Sequence, residues 1–262
     1  MIRRMHPLRV TLVQSFLHWE QPQANREAFA EQFAHLKGKT DLVVLPEMFS
    51  TGFSMRAGEL AEPMSGPTME WMQEQARQLD AIVTGSLIIE ERGSYFNRLI
   101  WMPPDGAFRA YDKRHLFTLA GEDNVYSRGR NHLLVSWRDW TILPLICYDL
   151  RFPVWARNIH QYDLLLYVAN WPERRVGAWS TLLAARAIEN QCYVVGVNRV
   201  GEDGNGIYHS GDSALCDYQG NVLYRCTHQP DVFTAELQLE PQRTFRQKLA
   251  FLQDRDHFSI QY

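Results

Sequence analysis

"LPLICYDLRFP", residues 143–153, decides how this chain is read. An apolar run ends in one cysteine, Cys147, and turns at once into Tyr148, Asp149, Arg151 and Pro153. The apolar half predicts a buried strand, and the polar half predicts a sharp exit from it. Cys147 is then either core filling or a thiol presented at a strand end. Cysteine is among the most buried residue types, and buried thiols are as a rule inert. A thiol attacks only as the thiolate, and a free cysteine has a pKa of about 8.5. The second reading therefore needs partners elsewhere in the chain.

Working outward, the apolar pattern predicts strands over 8–14, 41–47, 81–90, 95–104 and 107–113. Further strands are expected at "HLLVSW", "WTILPLICY", 163–170 and 192–200. "SALCDYQGNVLYR" (213–225) reads as a hairpin around Gln219 and Gly220, and 232–238 as the final long strand. Helical spacing appears at 23–38, from Pro67 to Asp80, at 152–161 and at 176–190, and "GEDGNG" (201–206) reads as a loop. "DLLLYVAN" hardly alternates, as expected of a strand buried on both faces. The result is an α/β chain that mixes helix-separated strands with hairpins. Propensity alone does not choose between a barrel, an open sheet and a sandwich.

Three strands end in a reactive side chain. "VVLPE" brings Glu47, "RAYDK" brings Lys113 and "LPLIC" brings Cys147. The separations leave room for intervening elements, so all three groups could meet at one sheet edge, where ligands of α/β proteins bind. Singly, Glu47 could be a helix-start carboxylate and Lys113 a solvated strand end. Together they match a nucleophile, a base to take its proton and a cation for charge developing on a substrate oxygen. A Cys–His pair is the rival, with His115 two residues past Lys113.

Composition narrows the classes. The chain has 262 residues, 45% hydrophobic and 22% charged, with a net charge of −3. No block of like charge marks a nucleic-acid partner, and no apolar run is long enough to span a membrane. The opening "MIRRMHPLRVTLVQSFLHWE" alternates apolar and polar residues and reads as a strand, not a signal peptide. Four cysteines, Cys147, Cys192, Cys216 and Cys226, form no C-x-x-C pair, and nine histidines show no metal-ligand spacing. This predicts a cytoplasmic protein with neither metal nor cofactor. One domain over 1–262 is expected. Its C-terminal tail, 240–262, carries Phe245, Leu249, Phe251, Leu252, Phe258 and Ile260, which pack either on their own subunit or across a dimer.

"LPEMFSTGF" (45–53), "YDKRHLF" (111–117) and "CYDLRFP" (147–153) resemble the three signature segments of the nitrilase superfamily, the carbon–nitrogen hydrolases, in the family's order. "ANWPERRVGAWSTLLAARAIENQCYVVGVNRVG" (169–201) resembles the segment that follows the nucleophile, and the likeness extends from Leu8 to about Leu239. "NWPERR" together with "CYDLRFP" is most similar to the bacterial omega-amidase branch, which hydrolyses the terminal amide of 2-oxoglutaramate.

The resemblance implies an αββα sandwich pairing into αββα–αββα dimers. It implies Glu47 as general base, Lys113 as oxyanion stabiliser, Cys147 as nucleophile and the Tyr148 N–H as a second oxyanion donor. Glu122 best matches the family's second carboxylate, with Asp123 adjacent. Asp149 and Arg151 are expected to tie the turn together, with contact between Arg151 and substrate the open alternative. A half-amide of a dicarboxylate needs a cation at its far end, for which Arg174 and Arg175 are candidates, with Phe49 and Trp171 as apolar walls. The alternatives are a hydrolase of nitriles, carbamoyl groups or other aliphatic amides, and a non-catalytic thiol redox or binding protein.

Overall fold

The computed structural model describes residues 5–261; Arg3 and Arg4, whose charge entered the reading of the N-terminus, lie outside them. In chain order, β1 (Leu8–Gln14), α1 (Pro22–Phe33), β2 (Leu42–Val44), α2 (Ala57–Leu60), α3 (Pro67–Leu79), β3 (Ile82–Glu91), β4 (Ser94–Met102) and β5 (Arg109–Asp112) form the first half. The second half comprises β6 (Val135–Trp137), β7 (Trp140–Ile146), α4 (Pro153–Ala156), β8 (Leu164–Ala169), α5 (Val176–Asn190), β9 (Tyr193–Asn198) and β10 (Val200–Glu202). β11 (Tyr208–Cys216), β12 (Val222–Thr227), β13 (Asp231–Leu237) and α6 (Leu239–Lys248) complete it.

Two sheets result. One has the order β13-β1-β2-β3-β4-β5, and the other runs β10-β11-β9-β8-β7-β6 with β12 on β11. In each, the central strands are parallel (β1-β2-β3 and β7-β8-β9) and the outer pairs are antiparallel. This explains the sequence pattern, because β8 lies between two parallel neighbours and buries both faces. The final strand returns to the first sheet, with Leu8 opposite Leu237. β10 continues β9 along the same edge of β11, so Gly201 and Glu202, expected in a loop, are still paired.

Residues of both sheets, among them Val10, Leu12, Val44, Trp101, Ile142 and Leu145, share one core with the buried side of α5 (Trp179, Leu183, Ala187). A second core holds α1 and α3 against the outer face of the first sheet through Phe29, Phe33, Met72 and Leu79. The layers are therefore helix, sheet, sheet, helix, the αββα sandwich expected. Among the described residues no helix is long and apolar enough to cross a membrane.

One expectation changes. The helix expected over 152–161 is a single turn, α4, because Asn158 diverts the chain. Its side chain accepts from the Tyr162 N–H and donates to the Tyr162 and Asn190 carbonyls. Such local side-chain bonds compete with helix bonds. The stretch from 240 onward begins as a helix, α6, tied to its own subunit. Gln242 donates to the Asp163 and Gln191 carbonyls, and Arg246 to the Tyr162 and Gln191 carbonyls. Beyond it Phe251 and Phe258 remain exposed.

Candidate active site

Cys147 is the first residue after β7, and its φ of 44° lies in the left-handed region. A non-glycine residue there costs about 1–3 kcal/mol and persists only where its surroundings over-determine it. Asp149 supplies that constraint. Fully buried, it accepts from the Ile146 and His115 N–H groups and from the Tyr111 hydroxyl, with His115 Nδ1 at 2.8 Å. His115 also stacks on Phe152. It is thus engaged with the turn and is absent from the cavity wall, which leaves the Cys–His alternative without geometry.

Lys113 follows β5 and is held in place by backbone bonds at both ends. Its N–H donates to the Asn97 carbonyl, and its own carbonyl accepts from the Gly129 N–H. Gly129 has to be glycine, since a Cβ there would sit 2.0 Å from the Asp112 carbonyl oxygen. Glu47 lies three residues beyond β2.

The three side chains converge on one another. Lys113 Nζ is 2.8 Å from Glu47 Oε1 and 2.9 Å from each Glu122 oxygen, and all three side chains are fully buried. Glu122, not the exposed Asp123, is therefore the second carboxylate at Lys113. The Cys147 thiol shares the cavity with the Glu47 carboxylate, whose charge bears on it. Asn97, which sequence reading passed over, donates through Nδ2 to both Glu47 Oε1 (2.8 Å) and Glu122 Oε1 (3.0 Å). Asn170 donates its backbone N–H to Glu47 Oε2 and its side chain to the Glu47 carbonyl. The available signal for both was a polar residue inside an otherwise apolar strand pattern, "YFNRLI" and "YVAN".

The electrostatics follow from this packing. Burial would lower the pKa of Lys113, but Glu122 and Glu47 outweigh it and hold the ammonium charged. Burial, then Glu47, pushes the Glu122 carboxyl up against the pull of Lys113. Burial and the adjacent Glu47 push the Cys147 thiol well up, so the resting sulfur is a neutral thiol beside a carboxylate that can take its proton.

Glu47, Lys113 and Cys147 form the floor of a cavity of about 580 Å³. Phe53, Phe117, Leu119, Trp171 and Ile207 supply apolar wall, while Arg151, Arg174 and Arg175 supply positive charge. Tyr148 also lines it. His209 lies on the wall with its pKa pushed down to about 4 by burial and Arg199, which leaves it neutral at ordinary pH.

Two expectations are corrected. Phe49 does not line the cavity; it packs in the second core against Phe29 and Trp71, close over Gly85. Phe53, four residues on in the same motif, takes that place. Arg151, expected to brace the turn with substrate contact left open, lines the cavity, and the bracing bonds go to Asp149 and from Arg186 to the Leu150 carbonyl. Among the described residues no group of three or more His, Cys, Asp or Glu could hold a metal ion. What remains is a thiol, a base and a cation with room above them for an acyl compound.

Comparison with known proteins agrees with this geometry. Residues 9–247 match the family model for carbon-nitrogen hydrolase. The chain is 44% identical to the omega-amidase YafV of Escherichia coli (strain K12), over 98% of this chain and 100% of that one. It is 30% identical to the 2-oxoglutaramate amidase of Bacillus subtilis, over 94% and 96% of the two chains. Among solved structures, XC1258 from Xanthomonas campestris, a CN-hydrolase superfamily protein with an arsenic adduct in the active site, superposes with a TM-score of 0.96. It has 44% identity and covers 98% of this chain and 100% of its own. The chain belongs to the carbon–nitrogen hydrolase family.

Proposed function

We propose that this carbon–nitrogen hydrolase is an omega-amidase that converts a short 2-oxo acid bearing a terminal amide, of the 2-oxoglutaramate type, to the dicarboxylate and ammonia. The observation that carries the reading is a buried Glu47–Lys113–Cys147 cluster opening into a cavity whose wall carries three arginines. Its similarity to an omega-amidase and to a 2-oxoglutaramate amidase supports the same substrate class.

In the proposed reaction Cys147 Sγ forms a bond to the amide carbon while its proton passes to Glu47. The oxygen takes the electron pair of the carbonyl π bond and is stabilised by Lys113 and the Tyr148 N–H. Collapse re-forms the carbonyl and breaks the C–N bond. The leaving nitrogen takes the proton from Glu47 and departs as ammonia, leaving a thioester. Glu47 then accepts a proton from water as the water oxygen attacks. The second collapse breaks the C–S bond, releases the acid and returns the proton to sulfur. Each oxyanion donor is worth roughly 3–4 kcal/mol of barrier. Glu122 and Asn97 act through Lys113 and Glu47, fixing where the cation and the base sit.

The reading extends to the whole chain. It works as one catalytic domain over 1–262, pairs with a second copy through its exposed C-terminal end, and operates in the cytoplasm, a setting that suits four free cysteines. The test is ammonia and 2-oxoglutarate production from 2-oxoglutaramate by the pure protein, beside an aliphatic nitrile and a carbamoyl compound. Turnover of 2-oxoglutaramate far above both is the expected result. Preference for the nitrile or the carbamoyl compound would replace the omega-amidase reading with that activity.

A further inference from the structure

Three arginines reach the cavity, and the structure does not treat them alike. Arg151 leaves the turn that begins at Cys147, while Arg174 and Arg175 sit in the short turn before α5. Among the described residues none of the three enters an ion pair, whereas Arg98, Arg186 and Arg225 each do. Asp203 is the one other carboxylate on the cavity wall besides Glu47, and it is occupied with its own loop, accepting from the Asn205 and Ile207 N–H groups.

Two of the three rest on aromatic faces. The Arg151 guanidinium carbon lies 4.9 Å over the Trp171 ring, and that of Arg175 lies 4.9 Å over the Phe117 ring. The rings are themselves fixed. Trp171 is buried and donates its indole N–H to the Arg175 carbonyl, and Phe117 meets Tyr148 edge-on at 5.0 Å. A ring face holds a guanidinium in place and consumes none of its five N–H donors. Arg174 is exposed and has no such support.

We infer that Arg151 and Arg175, not Arg174, form a two-arginine clamp for the 2-oxo carboxylate end of the substrate, each held at the cavity wall over its aromatic ring. The inference rests on the omega-amidase reading and assigns its specificity. The two arginines come from the segments that follow β7 and β8, neighbouring strands, so their forks can share one planar group. A 2-oxo carboxylate is such a group, with three coplanar acceptor oxygens. The clamp also explains the cluster of unpaired positive charge. Burial and the neighbouring Arg174 and Arg151 lower the Arg175 pKa, an unfavourable arrangement that an arriving anion relieves.

The test compares kcat/KM for 2-oxoglutaramate with that for pentanamide, an uncharged amide of equal chain length, in wild type and in Arg151→Met, Arg175→Met and Arg174→Met. The anionic-to-neutral ratio should fall ten- to a hundredfold in Arg151→Met and in Arg175→Met, chiefly through KM for the anion. It should stay within twofold of wild type in Arg174→Met. Pentanamide turnover reports that each variant is folded. Arg175→Lys, which keeps the charge and loses the fork, should retain only part of the ratio. A ratio that collapses in Arg174→Met, or survives in both of the other variants, overturns the clamp while leaving the omega-amidase reading intact. Equal wild-type rates on the two amides overturn that reading and the clamp with it.

Discussion

The Asn170 backbone N–H lies 2.8 Å from Glu47 Oε2 and spans the two sheets of the sandwich. Glu47 follows a strand of the first sheet and Asn170 follows β8 of the second. The other oxygen of Glu47 takes Lys113 and Asn97, so the carboxylate is fixed from both sides. A base held this way cannot rotate off the thiol, and proximity of this kind is worth orders of magnitude in rate.

The thiol should behave as a protonated group that reacts only when its proton has somewhere to go. Because burial and Glu47 raise its pKa, the thiolate fraction is small at neutral pH and grows tenfold per pH unit past pH 9. Iodoacetamide alkylation of Cys147, followed by mass spectrometry, should therefore climb with pH without a plateau below about pH 9. Amide turnover should not climb with it, since Glu47 takes the proton within the step. Cys147→Ala should fold and lose turnover, and Cys192→Ala, Cys216→Ala and Cys226→Ala should keep it. An alkylation plateau near pH 7 would show a preformed thiolate instead.

The two carboxylates should separate kinetically. Glu47→Gln removes the base from both halves of the reaction and should lower kcat by about 10²–10⁴. A single turnover should then yield neither ammonia nor acyl-enzyme. Glu122→Gln leaves the base in place but gives Lys113 a weaker partner, so kcat should fall by about 10² with KM little changed. Wild-type kcat in Glu122→Gln would remove that residue from the machinery.

Asn97 should reveal itself through pH. Its Nδ2 donates to both carboxylates, and at Glu122 the bond favours the charged form against burial. Asn97→Leu withdraws that donor and raises the pKa of Glu122, so its proton uptake begins at higher pH as pH falls. The acidic limb of the kcat/KM profile should move up by roughly one unit or more, given about 1.5–3 kcal/mol for a charge-assisted bond. A lower rate with an unmoved limb would reduce Asn97 to packing.

The C-terminal end should divide functionally after α6. Gln242 and Arg246 bind their own subunit, whereas Phe251 is 60% exposed and Phe258 39% exposed. Deleting residues 250–262 should leave a folded chain and yield monomers in light scattering. Unchanged dimers would place the pairing surface elsewhere.

What the sequence determined by itself is local. The strands ending at or near Glu47, Lys113 and Cys147, the helix at 176–190 and the identity of the three reactive groups are legible because each depends on near neighbours. Apolar periodicity sets an element and its end, and a polar residue past that end is marked by contrast. The motif segments also carried the family likeness, since spacing along the chain survives without coordinates.

Only the tertiary structure decided which groups share a space. Phe49 and Phe53 lie on one motif, yet one fills the core and the other walls the cavity, with the chain turning between them at Gly52, whose φ is 77°. Asn97 and Asn170 look like blemishes in buried strands until the two sheets face each other and Glu47 lies between them. Arg151 and Arg174 are both arginines near a turn, and only the position of Trp171 distinguishes the supported one. A sequence encodes contacts across dozens of residues through packing of whole layers. The partner of a buried polar atom is therefore fixed by the assembled sandwich, not by any stretch that can be read alone.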